Sequence, residues 1–207
     1  MARAAASKSQ TRIQREKTEV ILTAALDVFS AYGYRGSTID QIASRAGLSK
    51  PNLLYYFDGK HAIHKLLIER LLVTWLTPLE HLGEEGDPLE EIIGYVVRKL
   101  EMARDFPRES RLFANEILQG APNITEQISG PLKDLVDAKA NVIRNWSRAG
   151  LIAPVNPYHL IFSIWSATQH YADFDIQVSL ILDDKVATNF EDASKHLTEM
   201  FTRLLRP

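Results

Sequence analysis

Apolar positions recur along most of the chain at steps of three and four, the period of a helix that buries one face. Ile21, Ala25, Phe29 and Tyr32 share one such face, and Gly33 and Gly36 then end the helix, with Tyr34 and Arg35 in the turn. Thr38 is placed to cap a second helix, in which Ile39, Ile42, Ala43 and Ala46 keep the spacing until Gly47. Ser49 caps a third, and Pro51 falls in its first turn, where a missing N–H costs little. Asp58 opens a long fourth helix along Ile63, Leu66, Leu67, Leu71 and Trp75, which Pro78 and the GEEGDP stretch at 83–88 end. The same period predicts a fifth helix over about 89–104, broken by DFP at 105–107, and a sixth to about Leu118, followed by the QGAPN loop. A long seventh ends near Ala149, before GLIAPVNP at 150–157; an eighth covers about 158–182 and a ninth about 188–205. No stretch alternates with a period of two for long enough to read as a strand. The expected fold is all-α with about nine helices: a flexible basic arm at 1–17, a three-helix helix-turn-helix domain at 18–62, and a larger helical body at 63–207.

Composition narrows the classes. With 45% hydrophobic and 24% charged residues the chain is too apolar to be disordered. It has no cysteine, so disulfide and thiol chemistry are excluded. It has no run of eighteen apolar residues and no apolar stretch near its N-terminus, so neither a membrane partner nor a secretory signal is expected, and a cytoplasmic location is. The net charge of −2 is uneven: residues 1–60 hold nine Lys/Arg against five Asp/Glu, and residues 61–207 hold fifteen against twenty-one. A basic head on an acidic body is the distribution expected if only the head meets a polyanion.

The head carries chemistry suited to that partner. Thr38 to Phe57 reads as helix, tight turn, helix. In the second helix Leu53, Leu54 and Phe57 repeat at helical spacing and can pack on Ile42, Ala46 and Phe29. Lys50, Pro51, Asn52, Tyr55 and Tyr56 are left for the opposite face and the N-terminal end, where a recognition helix meets the major groove. Lys50 can reach guanine acceptors or phosphate, Asn52 an adenine edge, and the tyrosines phosphate and thymine methyls. The N–H groups after Thr38 and the ammonium of Lys60 supply further phosphate contacts.

Residues 19–60, EVILTAALDVFSAYGYRGSTIDQIASRAGLSKPNLLYYFDGK, resemble the DNA-binding domain of the TetR family of regulators. The matching positions are Ala25, Phe29, Gly33, Thr38, Ile42, Ala43, Ala46, Gly47, Ser49, Lys50, Leu53, Tyr55, Phe57 and Lys60. Leu54 stands where that family often has an aromatic, and Pro51 where Gly or Ala is common. The resemblance implies a homodimer on double-stranded, palindromic DNA, contacted through Thr38, Ser49, Lys50, Pro51, Asn52, Tyr55, Tyr56 and Lys60. It also implies a body that binds a small effector. The body segments at 75–82, 104–122 and 146–178 resemble the uracil-responsive, pyrimidine-sensing branch of the family, which implies a pyrimidine effector.

A pyrimidine such as uracil offers two carbonyl acceptors flanking an N–H on a flat apolar ring. A carboxamide complements one edge of it and an aromatic side chain supplies a wall. Trp165 and Gln169 stand at i and i+4, with Thr168, His170, Tyr171 and Asp173 beside them in an otherwise apolar segment. Such a cluster serves either a ligand or a hydrogen-bond network at a dimer face. Trp75, Arg111, Phe113 and Asn115 are the candidates for the opposite wall. Phe190, Ala193, Leu197, Met200, Phe201, Leu204 and Leu205 form an apolar stripe suited to two-fold pairing with the eighth helix and to packing on the same chain. His61 and His64, at i and i+3, are the one pair with metal-ligand spacing, but no third ligand stands near them; no metal, cofactor or catalytic residue is expected.

Overall fold

The computed structural model describes residues 12–183 and 189–207. The chain divides into two compact units, with the boundary between Ile68 and Glu69 inside a single helix.

The first unit holds α1 (Arg12–Gly36), α2 (Ile39–Arg45), α3 (Lys50–Tyr56) and the start of α4 (Gly59–Glu80). Of the stretch expected as an arm, residues 1–11 lie outside the described residues, and Arg12 already opens α1. Ile21, Ala25, Phe29, Ile42, Leu53 and Ile63 are all fully buried and form the core of this unit. Helix α1 is broken at Gly33, whose φ of 67° lies in the left-handed region that a side chain disfavours. The turn after it is fastened twice. The Ser37 hydroxyl donates to the Gly33 carbonyl at 2.6 Å, and Lys60 Nζ donates to the carbonyls of Tyr34 and Ser37 at 2.7 Å each while lying over the Tyr34 ring. Two expected core positions are exposed instead. Tyr32 is 62% exposed, because the buried face runs out just before the Gly33 break. Leu54 is 44% exposed, because a seven-residue helix can bury only the one stripe that Leu53 and Phe57 occupy.

The second unit holds the rest of α4, α5 (Pro88–Asp105), α6 (Pro107–Leu118), the single turn α7 (Thr125–Gln127), a π-helical turn at Ile128–Leu132, α8 (Lys133–Arg148), α9 (Pro157–Asp173), α10 (Asp175–Leu182) and α11 (Asn189–Leu205). Helix α5 is central and packs against α9 and α11 through Ile92, Tyr95, Val96 and Leu100. The widened turn at 128–132 contains Pro131, which has no N–H to keep the α pattern.

The expected helix over 158–182 is two helices, separated at Phe174, where φ is −117° and ψ is 30°. The cause is local competition for backbone groups: Arg111 takes the Ala172 carbonyl, and the Asp175 carboxylate accepts from the Ile176 N–H. Helix α4 runs two residues past Pro78, since a proline near the last turn removes little. In α11, Ala193, Leu197, Phe201 and Leu205 are buried within the chain itself, and Met200 and Leu204 remain exposed. Among the described residues none forms a strand, and no helix is long and apolar enough to cross a membrane.

Candidate functional site

Each unit carries one candidate site. In the first unit, Thr38 caps α2 in a reciprocal box: its backbone N–H donates to Gln41 Oε1 at 2.8 Å, and Gln41 N–H donates to Thr38 Oγ1 at 3.2 Å. Gly47, with φ at 66°, reverses the chain, and Ser49 caps α3 by accepting from the Asn52 N–H. Leu53 and Phe57 anchor α3 inward. The opposite face then presents Lys50, Pro51, Asn52 and Tyr55 to solvent, with Tyr55 73% exposed and set edge-on to the half-buried ring of Tyr56. An exposed tyrosine beside a lysine and an asparagine is the inventory of a surface that meets phosphate and base edges.

Lys50 pairs with Asp40 at 2.9 Å, an exposed ion pair that is readily exchanged for a phosphate. Lys60 differs from the other candidates: its ammonium is turned to the Tyr34 and Ser37 carbonyls, so a phosphate contact has to replace those two bonds. His64 is buried edge-to-face on Phe29 and beside Tyr34, whereas His61 is exposed. No cluster of three metal-ligating side chains is found among the described residues.

In the second unit, two neighbouring cavities share Phe113, Leu132, Trp165 and Gln169 as walls. The inner one, about 40 Å³, is lined further by Leu72, Trp75, Leu79, Tyr95 and Lys99. The outer one, about 560 Å³, is lined further by Arg111, Asn115, Ile128, Asp173 and Phe174. The outer volume is that of a small-molecule pocket; the inner one holds water-sized occupants until a wall moves.

The fixed groups around these cavities are tightly held. Trp165 Nε1 donates to the Tyr95 hydroxyl at 2.5 Å. Burial pushes the Tyr95 phenol well above its usual range, so it stays protonated and keeps an O–H to give. Arg111 pairs with Asp175 at 2.9 Å, and Asn115 Nδ2 donates to the Arg111 carbonyl. Ser110, fully buried, donates to Asp173, whose pKa is raised chiefly by burial.

Six of the nine residues expected at the effector site therefore line a cavity: Trp75, Arg111, Phe113, Asn115, Trp165 and Gln169. The other three line neither. Thr168 is fully buried with its hydroxyl given to the Ile164 carbonyl, Tyr171 packs against Phe190, and His170 stacks on Phe174 at the surface. Two polar groups of the inner cavity, Tyr95 and Lys99, are not among the residues expected from the sequence. The signal was present: Ile92, Tyr95, Val96, Lys99 and Ala103 share the buried stripe of α5, and a lysine on such a stripe demands a reason.

Lys99 is only 3% exposed, with its Nζ 4.7 Å from the centre of the Trp75 ring. Burial pushes its pKa down to about 8, against the opposing pull of the Asp173 charge. The Trp75 indole N–H is buried, with no hydrogen-bond partner among the described residues.

Known proteins resemble both units. Residues 21–66 match the family described as bacterial regulatory proteins, tetR family, and residues 68–207 match the YcdC-like protein, C-terminal region. The chain is 46% identical over 172 residues to the HTH-type transcriptional regulator RutR of Escherichia coli O157:H7, covering 83% of this chain and 81% of that protein. It is 27% identical over 140 residues to the A-factor receptor protein of Streptomyces griseus, covering 65% of this chain and 45% of that one. Among solved structures, the putative transcriptional regulator SCO4942 from Streptomyces coelicolor superposes with a TM-score of 0.72 at 22% identity, over 92% of this chain and 99% of that one. AibR in complex with isovaleryl coenzyme A and operator DNA gives 0.68 at 18%, over 89% and 97%. With a helix-turn-helix tip on one unit, cavities in the other and both family matches in register with them, the chain belongs to the TetR family of DNA-binding transcriptional regulators.

Proposed function

We propose that this regulator is a repressor that binds a palindromic operator as a homodimer and is released by a small planar effector, a pyrimidine of the uracil type. The observation that carries the effector is the pairing of two indoles, Trp75 and Trp165, with the Gln169 carboxamide around one cavity. The indoles offer flat apolar walls, and the carboxamide complements a carbonyl and its adjacent N–H. The likeness to RutR supports this branch of the family.

On the DNA side, α3 enters the major groove. Asn52 and Lys50 read base edges; Thr38, Ser49, Tyr55 and Tyr56 hold phosphate and sugar, Pro51 sets the helix start, and Lys60 serves phosphate by exchange. The second copy pairs through α9, α10 and α11, where Phe162, Ile176, Leu180, Ile181 and Leu204 are exposed apolar side chains. Coupling runs through α4, which contributes Ile63 and His64 to the first unit's interior and Leu72, Trp75 and Leu79 to the second's. A ligand that binds better to one spacing of the recognition helices weakens DNA binding, and DNA weakens ligand binding by the same factor.

The test is a thermal melt of the protein with uracil, thymine and unrelated planar compounds, followed by operator binding with and without the stabilising one. A ligand at 100 times its Kd adds about 2.7 kcal/mol of stability. A melting point unmoved by any pyrimidine rejects the effector assigned here; unchanged operator affinity with a bound pyrimidine rejects the release mechanism.

A further inference from the structure

The inner cavity has an unusual polar inventory. Lys99 can only donate, and among the described residues its ammonium has neither an ion pair nor a hydrogen bond; it has the Trp75 ring face and the charge of Asp173 beyond contact distance. Trp75 Nε1 can only donate, and it too has no acceptor. The Tyr95 oxygen is engaged by Trp165 Nε1, which leaves its O–H to donate. Gln169 brings the one side-chain carbonyl among the polar lining groups. A buried cavity so rich in unspent donors is matched only by an occupant rich in acceptors.

We propose that Lys99, with Trp75 Nε1, is the specificity-determining donor of the effector site: together they hold a ring carbonyl oxygen of the ligand and reject bases that carry an amino group at that position. The proposal deepens the effector reading given above and rests on it. It assigns a ligand class, flat lactams and imides with an acceptor oxygen. An exocyclic amino group would set donor against donor in a site with no room to turn away, and leave both protein groups unpaired. Sites built to pair a buried polar group discriminate against analogues that cannot complete the pair far more strongly than apolar pockets discriminate by size. The small inner volume adds a second restriction: only an atom or two of the ligand enters without displacing Trp165 or Phe113, so the carbonyl goes in and the ring remains between the shared walls.

The test measures binding by calorimetry for the wild-type dimer and for Lys99→Met, each first shown to melt cooperatively. The panel pairs carbonyl heterocycles with amino counterparts: uracil with cytosine, and 2-pyridone with 2-aminopyridine. Lys99→Met keeps the length and removes the charge; Trp75→Phe keeps the wall and removes the N–H. The expected result is that the wild-type protein binds uracil at least about a hundredfold more tightly than cytosine. Lys99→Met should lose about tenfold or more in uracil affinity and narrow that ratio, with Trp75→Phe changing both in the same direction. If the wild type binds uracil and Lys99→Met keeps its affinity and preference, Lys99 is a buried structural cation and this proposal falls while the pyrimidine reading stands. If the wild type ignores pyrimidines but binds another carbonyl heterocycle in a Lys99-dependent way, the pyrimidine reading falls and this one stands. Binding of no carbonyl compound at millimolar concentration overturns both. Should Lys99→Met fail to fold, Lys99→Leu and Trp75→Phe carry the same comparison.

Discussion

Trp165 Nε1 reaches the Tyr95 hydroxyl at 2.5 Å, a bond between helices seventy residues apart in sequence. It fixes the indole that serves as wall to both cavities, and it ties α9 to the central helix α5. Tyr95→Phe keeps the ring and removes the acceptor. The expected cost is about 1–2 kcal/mol of stability from the half-buried indole N–H left unpaired. Ligand affinity should also fall, because Trp165 loses its preset orientation. Urea melts and calorimetry on the same variant check both.

Lys99 imposes a pH dependence. Its folded pKa is lowered to about 8 from an ordinary 10.5. Between those values the unfolded chain holds more protons than the folded one, so this residue's contribution makes stability rise as pH climbs from about 8 toward 10.5. Below about 8 the cost is complete and constant. The difference between wild type and Lys99→Met, measured by denaturant melts across this window, should shrink with rising pH; a constant difference contradicts the burial of the charge.

Lys60 and Tyr56 should separate in their effects. Lys60→Ala removes two charge-assisted bonds to the turn after Gly33 and is expected to cost about 2 kcal/mol of stability, besides weakening DNA binding. Tyr56→Ala should weaken binding to every DNA sequence roughly alike, with a smaller loss of stability. Melting curves together with fluorescence anisotropy on operator and random duplexes make the comparison.

Asn52 is exposed, and among the described residues its side chain has no hydrogen-bond partner; its backbone N–H donates to Ser49. Asn52→Ala should therefore change which operator variants bind best, by about 1–3 kcal/mol at one base pair, while leaving the melting point nearly unchanged. A uniform loss across all operator variants would place Asn52 on the phosphates instead.

Leu180 is 78% exposed between Ile176 and Ile181, which are exposed almost as fully. Leu180→Glu should shift sedimentation from dimer toward monomer and lower operator affinity, without loss of helicity.

Much of this was legible in the sequence because it follows from local rules. Thr38, Gly47, Ser49 and Pro51 occupy the caps and turn that their chemistry dictates, and Ile42, Leu53 and Phe57 sit where a 3.6 period puts them. The misplaced residues depended on partners far away in the chain. Phe174 interrupts a helix because Arg111, from α6, claims the Ala172 carbonyl, and no window around Phe174 contains Arg111. Thr168 and Tyr171 are on the same helix as Trp165 and Gln169, but they point to the core rather than the cavity, a rotation that sequence spacing alone left open between wall and interior. Lys99 was overlooked because a lysine is read as surface until its stripe is traced.

The shared wall between the two chambers has a kinetic meaning. Under the binding mode proposed above, a ligand carbonyl has to pass Trp165 and Phe113 to reach the inner donors, so these two side chains are expected to set how fast it enters. The same two side chains are then expected to slow escape. A sensor built this way is expected to answer a sustained rise of its effector more fully than a brief surge.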